Sequence, residues 1–276
     1  MMRQSMMSQS PGFTLGEMII VIAIIAILAS LITPLAVNVI SQKRVDGCIE
    51  ELSVLKKAIV GDPALVEGGT RSSFGFVGDI GVLPATLDEL VSNTQGRPVY
   101  QQYGTTGMFY GWRGPYVSDV VDPWGNAYVY STTPANLPAN VCVRMWSYGV
   151  DGVNNSGNGL TIAGDDIYID IRTDEAFSRV SGNTLDACDA CSPFTAISIA
   201  YPNGTAVVQT TANKTTTALN PVYIVLPGDT FTGVGIPIGV RVMTFTTATP
   251  TTVVRLIQVN NGPMVTLNLK DPGTCN

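Results

Sequence analysis

The stretch that decides the fold is residues 11–40, PGFTLGEMIIVIAIIAILASLITPLAVNVI. It carries one charged residue, Glu17, near the start of an apolar run, and the next charge is Lys43. About 20 apolar residues suffice to span a bilayer as a helix. A carboxylate inside such a run costs roughly 2.5–3.5 kcal/mol at mid-helix, so Glu17 is expected to have a function. Pro34 lacks an amide hydrogen and predicts a kink in the same helix.

The start of this stretch also resembles a known family. A short polar leader, residues 12–17 (GFTLGE) and an apolar helix with Pro34 inside it resemble the N-terminus of type IV prepilins and type II secretion pseudopilins. A secretory signal peptide is cut after its apolar region, whereas this family is cut before it. The resemblance implies that a prepilin peptidase cleaves between Gly12 and Phe13 and methylates the new α-amine. An ordinary membrane anchor and an uncleaved signal peptide are the alternatives.

The resemblance gives Glu17 and Pro34 roles in assembly. In the family, the carboxylate four residues after the cleavage site meets the N-terminal ammonium of a neighbouring subunit. A buried charge is tolerated when it is paired, and a carboxylate near a helix N-terminus gains from the helix dipole. Polymerised pilins loosen their helix near the proline, although a kink that the bilayer tolerates is the alternative. This chain departs from the family pattern in having one basic leader residue, Arg3, and in having Gly16 before the acid.

Composition excludes several classes of function. The chain has 276 residues, a net charge of −6, no histidine and only 13% charged residues. An acidic chain without a basic cluster argues against nucleic acid as the main ligand. The lack of histidine removes the commonest general base, and no Gly-x-Ser-x-Gly motif, phosphate-binding loop or Cys/His nucleophile set occurs. We therefore expect that the protein is not an enzyme.

Five cysteines occur, at Cys48, Cys142, Cys188, Cys191 and Cys275. An extracytoplasmic compartment permits disulfides, and an odd number leaves at least one thiol unpaired in a monomer. The CxxC of Cys188 and Cys191 suits a redox site, half a zinc site or structural cysteines with other partners. A bridge from either of them to Cys275 would close a long loop and contribute about 4 kcal/mol in the entropy model.

Beyond residue 40 the apolar residues still recur at helical spacing, but they now occupy only one face of the helix. Apolar residues at helical spacing predict a half-buried helix that packs on a globular head and ends at residues 61–63, Gly-Asp-Pro. These residues are Val45, Cys48, Leu52, Leu55 and Ile59. Further on, Thr86 and Glu89 predict a capping box for a short helix over residues 84–91.

A second block of sequence lies further along the chain. Residues 122–130, DPWGNAYVY, predict a turn followed by a strand. Residues 145–152 (MWSYGVDG), an Asn/Gly-rich loop and residues 164–167 (GDDI) come next. In this order the segments resemble the head of the major pseudopilin of type II secretion. The resemblance covers roughly residues 11–60 and 114–171.

In the major pseudopilin the loop at this place binds calcium. The resemblance therefore implies a Ca²⁺ site with Asp151, Asp165 and Asp166 as ligands, completed by backbone carbonyls, since calcium takes six to eight oxygen ligands. The loop is not an EF-hand, because Val153 and Ile162 occupy positions that require an oxygen ligand and glutamate. An acidic, solvated loop without metal is the alternative.

The character of the chain changes after residue 175. Short branched runs separated by turns predict several closely spaced strands, which are typical of a β-sandwich. Residues 201–205 and 260–263 are connections of the hairpin type, because Asn-Gly accepts positive φ. The runs are residues 194–201, 206–211, 222–226, 236–245, 252–259 and 264–269.

The sequence thus predicts an α+β protein. A long N-terminal hydrophobic helix packs on a small antiparallel-sheet head of the pilin type, and an all-β, sandwich-like domain follows. The expected divisions are a cleaved leader at 1–12, a transmembrane and assembly helix at 13–60, a pseudopilin-like head with the acidic loop at 61–172, and a β-rich, Ig-like extension at 173–276.

The resemblance implies a structural subunit that polymerises through its N-terminal helix into a type II secretion pseudopilus or a type IV pilus-like filament. Its implied partners are identical subunits, the prepilin peptidase, and an inner-membrane assembly platform with its ATPase; no nucleic acid is expected. The chain would cross the inner membrane once with its head outside the cytoplasm, then enter a periplasmic or cell-surface filament. The alternative, from another class, is a binding or adhesion module carried by the C-terminal β domain.

Overall fold

The computed structural model describes residue 12 and residues 14–133, 137–157, 161–185, 196–211, 214–217, 220–223, 235–246, 252–262 and 264–270. The side chains of residues 31–36 lie outside this description. The chain divides into two units, Met1–Asp46 and Gly47–Asn276. Together the elements form an α+β protein with small antiparallel sheets and a C-terminal sheet region, which confirms the predicted class.

Four helices occur in the described part of the chain. They are α1 (Leu15–Val60), α2 (Gly75–Ile80), α3 (Asp88–Val91) and α4 (Thr173–Ala176). The head strands are β1 (Val66–Glu67), β2 (Thr70–Arg71), β3 (Gln101–Gln102), β4 (Phe109–Tyr110), β5 (Val129–Ser131), β6 (Val141–Ser147) and β7 (Ile167–Arg172). The later strands are β8 (Phe177–Leu185), β9 (Ala196–Pro202), β10 (Val207–Thr211), β11 (Lys214–Thr217), β12 (Asn220–Tyr223), β13 (Ile236–Pro237), β14 (Gly239–Thr246), β15 (Thr252–Val259) and β16 (Met264–Lys270).

The first unit contains the N-terminal part of α1. Its described apolar side chains between Leu15 and Leu28, among them Ile19, Ile22 and Ile25, are exposed. Over the residues that the structure describes, no helix offers an apolar stretch long enough to cross a membrane. Pro34 lies within α1, but its side chain lies outside the described residues, so the kink stays a prediction.

The C-terminal part of α1 forms one wall of the head core. Cys48, Leu52, Leu55 and Ile59 are buried as predicted. They pack with a cluster that also contains Phe76, Ile80, Leu90, Met145 and Ile171. The helix ends before Gly61, whose φ is +74° and whose amide donates to the Lys57 carbonyl at 2.7 Å. A Cβ on Gly61 would lie 2.4 Å from the Ser73 carbonyl oxygen, so the predicted stop requires glycine.

The head sheet is antiparallel, with the order β5-β6-β7. Val129 pairs with Trp146, and Met145 pairs with Ile169. The predicted turn before β5 is confirmed, because Asp122 Oδ1 accepts the amides of Trp124 and Asn126 at 3.0 and 2.8 Å. This turn and the β6–β7 connection lie at the same end of the sheet, since Ser147 donates to Asp122 Oδ2 at 2.5 Å.

The predicted capping box at Thr86 and Glu89 is wrong. Helix α3 begins at Asp88, and no side chain caps it. Glu89 is buried, and its Oε1 accepts the amide of Ala85 at 2.6 Å. Its Oε2 accepts Arg97 Nε at 2.9 Å. The guanidinium of Arg97 therefore holds the carboxylate, and the local T-x-x-E pattern does not decide its position.

The described residues of the C-terminal region form two sheets. One is antiparallel with the order β10-β9-β14-β15, and the other has the order β11-β12-β8-β13 with β16 pairing to β8. The predicted hairpin at residues 201–205 is confirmed, since it joins β9 to β10. The hairpin predicted at residues 260–263 is wrong: β15 pairs with β14, whereas β16 pairs in parallel with β8. That connection joins two different sheets.

The C-terminal strands are bonded directly to the head. The amide of Gly204 donates to the Ile80 carbonyl at 2.8 Å, and Gln258 Nε2 donates to the Arg71 carbonyl at 3.0 Å. Ile238 is buried in the same cluster as the head residues. Elements α4 and β8 continue the chain directly after β7. The division at residues 172 and 173 into separate domains stays a prediction.

Arg241 on β14 is the largest of the fully buried side chains of the described residues. Its Nε donates to the Pro237 carbonyl and its Nη1 to the Gly78 carbonyl of α2, both at 3.0 Å. Further bonds reach the carbonyls of Val240 and Ile238. Burial lowers the pKa of the guanidinium to about 9, which leaves it charged at neutral pH. One cation thus satisfies carbonyls on both the C-terminal sheet and a head helix.

Arg241→Met should destabilise the whole second unit. The substitution keeps an apolar stem but leaves several buried carbonyls without donors, which costs about 1–3 kcal/mol for each unsatisfied group. We expect a loss of about 3 kcal/mol in the free energy of unfolding, measured by denaturant titration of the full chain in detergent. Arg255→Met is the matched control, because Arg255 is exposed on the neighbouring strand β15. Equal stability of the two variants would show that the hydrogen bonds of Arg241 do not stabilise the contact between the C-terminal sheet and the head.

Candidate functional site: the acidic loop and the start of the first helix

The acidic loop lies between β6 and β7 and is shaped by one glycine. Gly149 has φ +68°, and a Cβ there would lie 2.3 Å from the Asp165 carbonyl oxygen. This close approach lets Asp165 Oδ2 accept the amides of Val150 and Asp151 at 2.5 and 3.1 Å. Desolvation alone would raise the pKa of Asp165, but the hydrogen bonds from the Asp151 and Val150 amides outweigh it and lower the pKa. The loop therefore stabilises an ionised carboxylate.

The structure brings Asp151 and Asp165 together. Asn155 Nδ2 donates to Asp151 Oδ2 at 3.1 Å and to Asp165 Oδ1 at 3.3 Å. Asp151 Oδ1 also accepts the Val153 amide at 2.8 Å. One side-chain amide thus bridges two of the three predicted calcium ligands.

The third predicted ligand, Asp166, has different neighbours. Its side chain is 8% exposed, and Oδ2 accepts the hydroxyl of Ser156. Its Oδ1 is buried and has no hydrogen-bond partner among the described atoms. In the described part of the chain, no three acidic, histidine or cysteine side chains converge closely enough to share a metal ion. Residues 158–160 of the loop lie outside the described residues.

The start of α1 contains a reciprocal cap that the sequence reasoning missed. The amide and hydroxyl of Thr14 donate to Glu17 Oε2 at 2.8 and 2.9 Å. The amide of Glu17 donates to Thr14 Oγ1 at 3.3 Å. Residues 14–17, TLGE, match the S/T-x-x-E/Q capping box, so the signal was present in the sequence. Gly12 is exposed, and Phe13 lies outside the described residues.

The cysteines give no reactive thiol in the described part of the chain. Cys48 is buried and Cys142 is half-buried, and both are unpaired. Burial raises the pKa of both thiols, that of Cys142 to about 12, so neither is a thiolate at neutral pH. The disulfide candidates Cys188, Cys191 and Cys275 lie outside the described residues, and their pairing stays a prediction.

Comparisons with known proteins agree with the order of these segments. Residues 80–163 match the family model of the type II secretion system protein G. Over 148 residues the chain is 28% identical to the type II secretion system core protein G of Pseudomonas aeruginosa. That match covers 52% of this chain and 86% of the relative. No solved structure matches the chain at a significant level.

The family model includes the turn at residues 122–126 and most of the acidic loop, and it stops just before Asp165 and Asp166. The two matches name the same protein of the same secretion system. They support the family resemblance that the sequence predicts, to the major pseudopilin of type II secretion.

Proposed function

We propose that this chain is the subunit of a type II secretion pseudopilus and polymerises through α1. The observation that carries the proposal is the match to protein G over the head, combined with the GFTLGE start of the apolar run. The exposed apolar side chains of α1 support it, because a large contiguous apolar surface marks a contact with a membrane or a protein. The structural role of the family agrees with the expectation that the chain is not an enzyme.

Before assembly, the subunit is anchored in the inner membrane with its head outside the cytoplasm. Residues 18–37 carry no charged side chain, and about 20 apolar residues span a bilayer. The prepilin peptidase, an assembly platform and its ATPase are the proposed partners, followed by identical subunits in a periplasmic filament. This route follows from the family resemblance and the apolar run together.

Processing provides the first test. Mass spectrometry of the protein from membranes should show N-methylated Phe13 as the first residue. Gly12→Leu should accumulate uncut, because a bulky side chain replaces the glycine at the cleavage site. A mature chain that begins at Met1, or after residue 30, would be incompatible with the proposed route.

Glu17 provides the second test, and the capping box allows a sharp control. Glu17→Gln keeps an acceptor for the Thr14 donors but removes the charge, since glutamine also serves in a capping box. Thr14→Ala removes the hydroxyl and keeps the charge. If Glu17 pairs with the ammonium of a neighbouring subunit, Glu17→Gln inserts in the membrane but forms few filaments, whereas Thr14→Ala forms them.

The measurement is the yield of sheared or detergent-extracted filaments from cells that express only the variant. Glu17→Val should behave like Glu17→Gln. Normal filaments from Glu17→Gln would rule out charge pairing, and equal failure of Thr14→Ala would assign Glu17 to helix capping instead.

We further propose that the acidic loop binds Ca²⁺ through Asp151, Asp165 and Asp166. The proposal is supported by the donor set, three carboxylates on one loop, and by the buried Oδ1 of Asp166, which has no partner among the described atoms. A bound ion would have to draw Asp166 towards Asp151 and Asp165, since the three do not converge among the described residues. An unsatisfied buried polar atom is costly, and a cation or a water on that cation would satisfy it. A bound Ca²⁺ would supply positive charge that cross-links the two ends of the loop.

Calcium should therefore raise the melting temperature of the full chain in detergent relative to chelator. Ligand binding to the folded state contributes about 2.7 kcal/mol at a hundredfold excess over Kd. Asp166→Asn should abolish the difference between calcium and chelator. Asp119→Asn is the control, because Asp119 is exposed outside the loop, and it should keep the difference. Identical melting in saturating calcium and in chelator would exclude a stabilising site.

A further inference from the structure

A cavity of about 190 Å³ lies within the second unit, between head residues and the start of β14. Its lining includes Arg71, Asp79, Tyr100, Phe109 and Arg113, and three lining positions are glycines. Pockets for drug-sized ligands measure roughly 300–1,000 Å³. This cavity is smaller, so it suits a single ring with its substituents.

One wall of the cavity is aromatic. The rings of Tyr100 and Phe109 stack with their centroids 5.6 Å apart and their planes 17° apart. Phe109 is 47% exposed although it is a large apolar side chain. An exposed ring beside a polar cavity offers a flat apolar surface against which the C–H face of a ligand ring can pack.

A neighbouring part of the cavity lining is polar and carries charges. The carboxylate of Asp79 is largely buried; its Oδ2 accepts the hydroxyl of Tyr116 at 3.0 Å and Arg113 Nε at 3.2 Å. Burial raises the pKa of Asp79, and the neighbouring Arg113 opposes this shift. These contacts hold Asp79 and Arg113 in a defined position at the edge of the cavity.

Arg71 adds a second cation, which donates to neutral acceptors and also interacts with the carboxylate of Asp62. It is largely buried, and its guanidinium donates to the carbonyls of Ser73 and Val60 at 2.7 and 2.6 Å and to the Asn261 side chain. Two arginines and one aspartate therefore line the cavity, which gives 2 − 1 = +1 charge.

Arg113 supplies donors for a ligand. Its guanidinium has five N–H groups in a planar fork that matches a carboxylate. The side chain is 52% exposed, which leaves donors accessible from the cavity mouth. Its carbon Cζ lies 5.3 Å from the centroid of Tyr100, so the cation and the aromatic wall adjoin each other.

We propose that this cavity binds a single acidic sugar residue, a pyranose ring that carries a carboxylate, as in uronic acids. The ring packs against the Tyr100–Phe109 wall, the hydroxyl groups bond to Asp79 and to glycine backbone, and the carboxylate pairs with Arg113. None of these residues belongs to the apolar helix, so the site is independent of the proposed filament contacts.

The test is a titration of the full chain in detergent, by calorimetry and saturation-transfer NMR, with D-glucuronate, D-glucose and N-acetylglutamate as probes. We expect saturable binding of glucuronate, about tenfold tighter than that of glucose, because a charge-assisted bidentate pair is added. N-acetylglutamate should bind weakly, since it has the carboxylate but not the ring.

Variants separate the two walls. Arg113→Gln should bring glucuronate binding down to the level of glucose, and Phe109→Ala should weaken both sugars. Arg172→Gln is the matched control: Arg172 is also exposed and also pairs through Nε with an aspartate, Asp174, at 3.2 Å, but does not line the cavity. It should bind as the wild type does.

The outcomes decide the proposal. Absence of saturable glucuronate binding, or unchanged binding by Arg113→Gln, would overturn it. Equal affinity for glucose would overturn the acidic preference, and equal affinity for N-acetylglutamate would replace the sugar with an acidic peptide side chain. Filament yields from the Arg113→Gln cells report on assembly separately, so a failure of this site and a failure of the pseudopilus function are distinguishable.

Discussion

The second unit depends on one buried helical face, which runs from Cys48 to Val60 on α1. Helices α2 and α3 and the β5-β6-β7 sheet contribute residues to the same cluster. Polar contacts fix the position of the sheet, since Lys56 Nζ forms an ion pair with Glu175 at 2.7 Å and donates to the Asp170 carbonyl at 2.9 Å. Because a close-packed core transmits even small changes in volume, this face also determines the position of the loop that leaves β6.

The C-terminal strands extend the head and share its polar groups. Two carbonyls of α2 accept hydrogen bonds from the C-terminal region, Gly78 from the guanidinium of Arg241 and Ile80 from the amide of Gly204. A buried cation that is surrounded by carbonyls is stable only while all of them stay in place. The proposed sugar cavity lies beside this junction and takes lining from both sides. The affinity for a ligand in this cavity would therefore depend on how the C-terminal strands pack on α2.

Local signals in the sequence predicted those features that depend on neighbouring residues. The end of α1 at Gly61, the Asp122 turn and the β9–β10 hairpin each follow from backbone requirements within a few residues. The failures involve distant partners. The carboxylate of Glu89 pairs with Arg97 and does not form a capping box with Thr86. Residues 260–263 do not form a hairpin, because β16 pairs in parallel with β8. Arg241 donates to the nearby carbonyls of Pro237, Ile238 and Val240 and to the distant carbonyl of Gly78 on α2. No sequence motif specifies that distant acceptor.

The same distinction between local and distant partners applies to the candidate site. The pattern T-x-x-E is sufficient to predict the Thr14–Glu17 cap, because both partners lie within one helical turn. In the acidic loop, the order of segments pointed to Asp151, Asp165 and Asp166, but the structure separates Asp166 from the other two. Which carboxylates converge depends on the path of the loop and on Ser156 and Asn155, neither of which a motif specifies.

The acidic loop also shows how carboxylates can lie together without a cation. Backbone amides satisfy Asp165, the Asn155 amide bridges it to Asp151, and Gly149 permits the close approach that these bonds require. The loop is therefore preorganised by its own donors, and a cation would compete with the Asn155 amide for oxygen atoms. Binding would exchange one neutral donor for a charge and would satisfy Asp166 Oδ1 in addition. An ion at this site would therefore strengthen a loop that the head already holds.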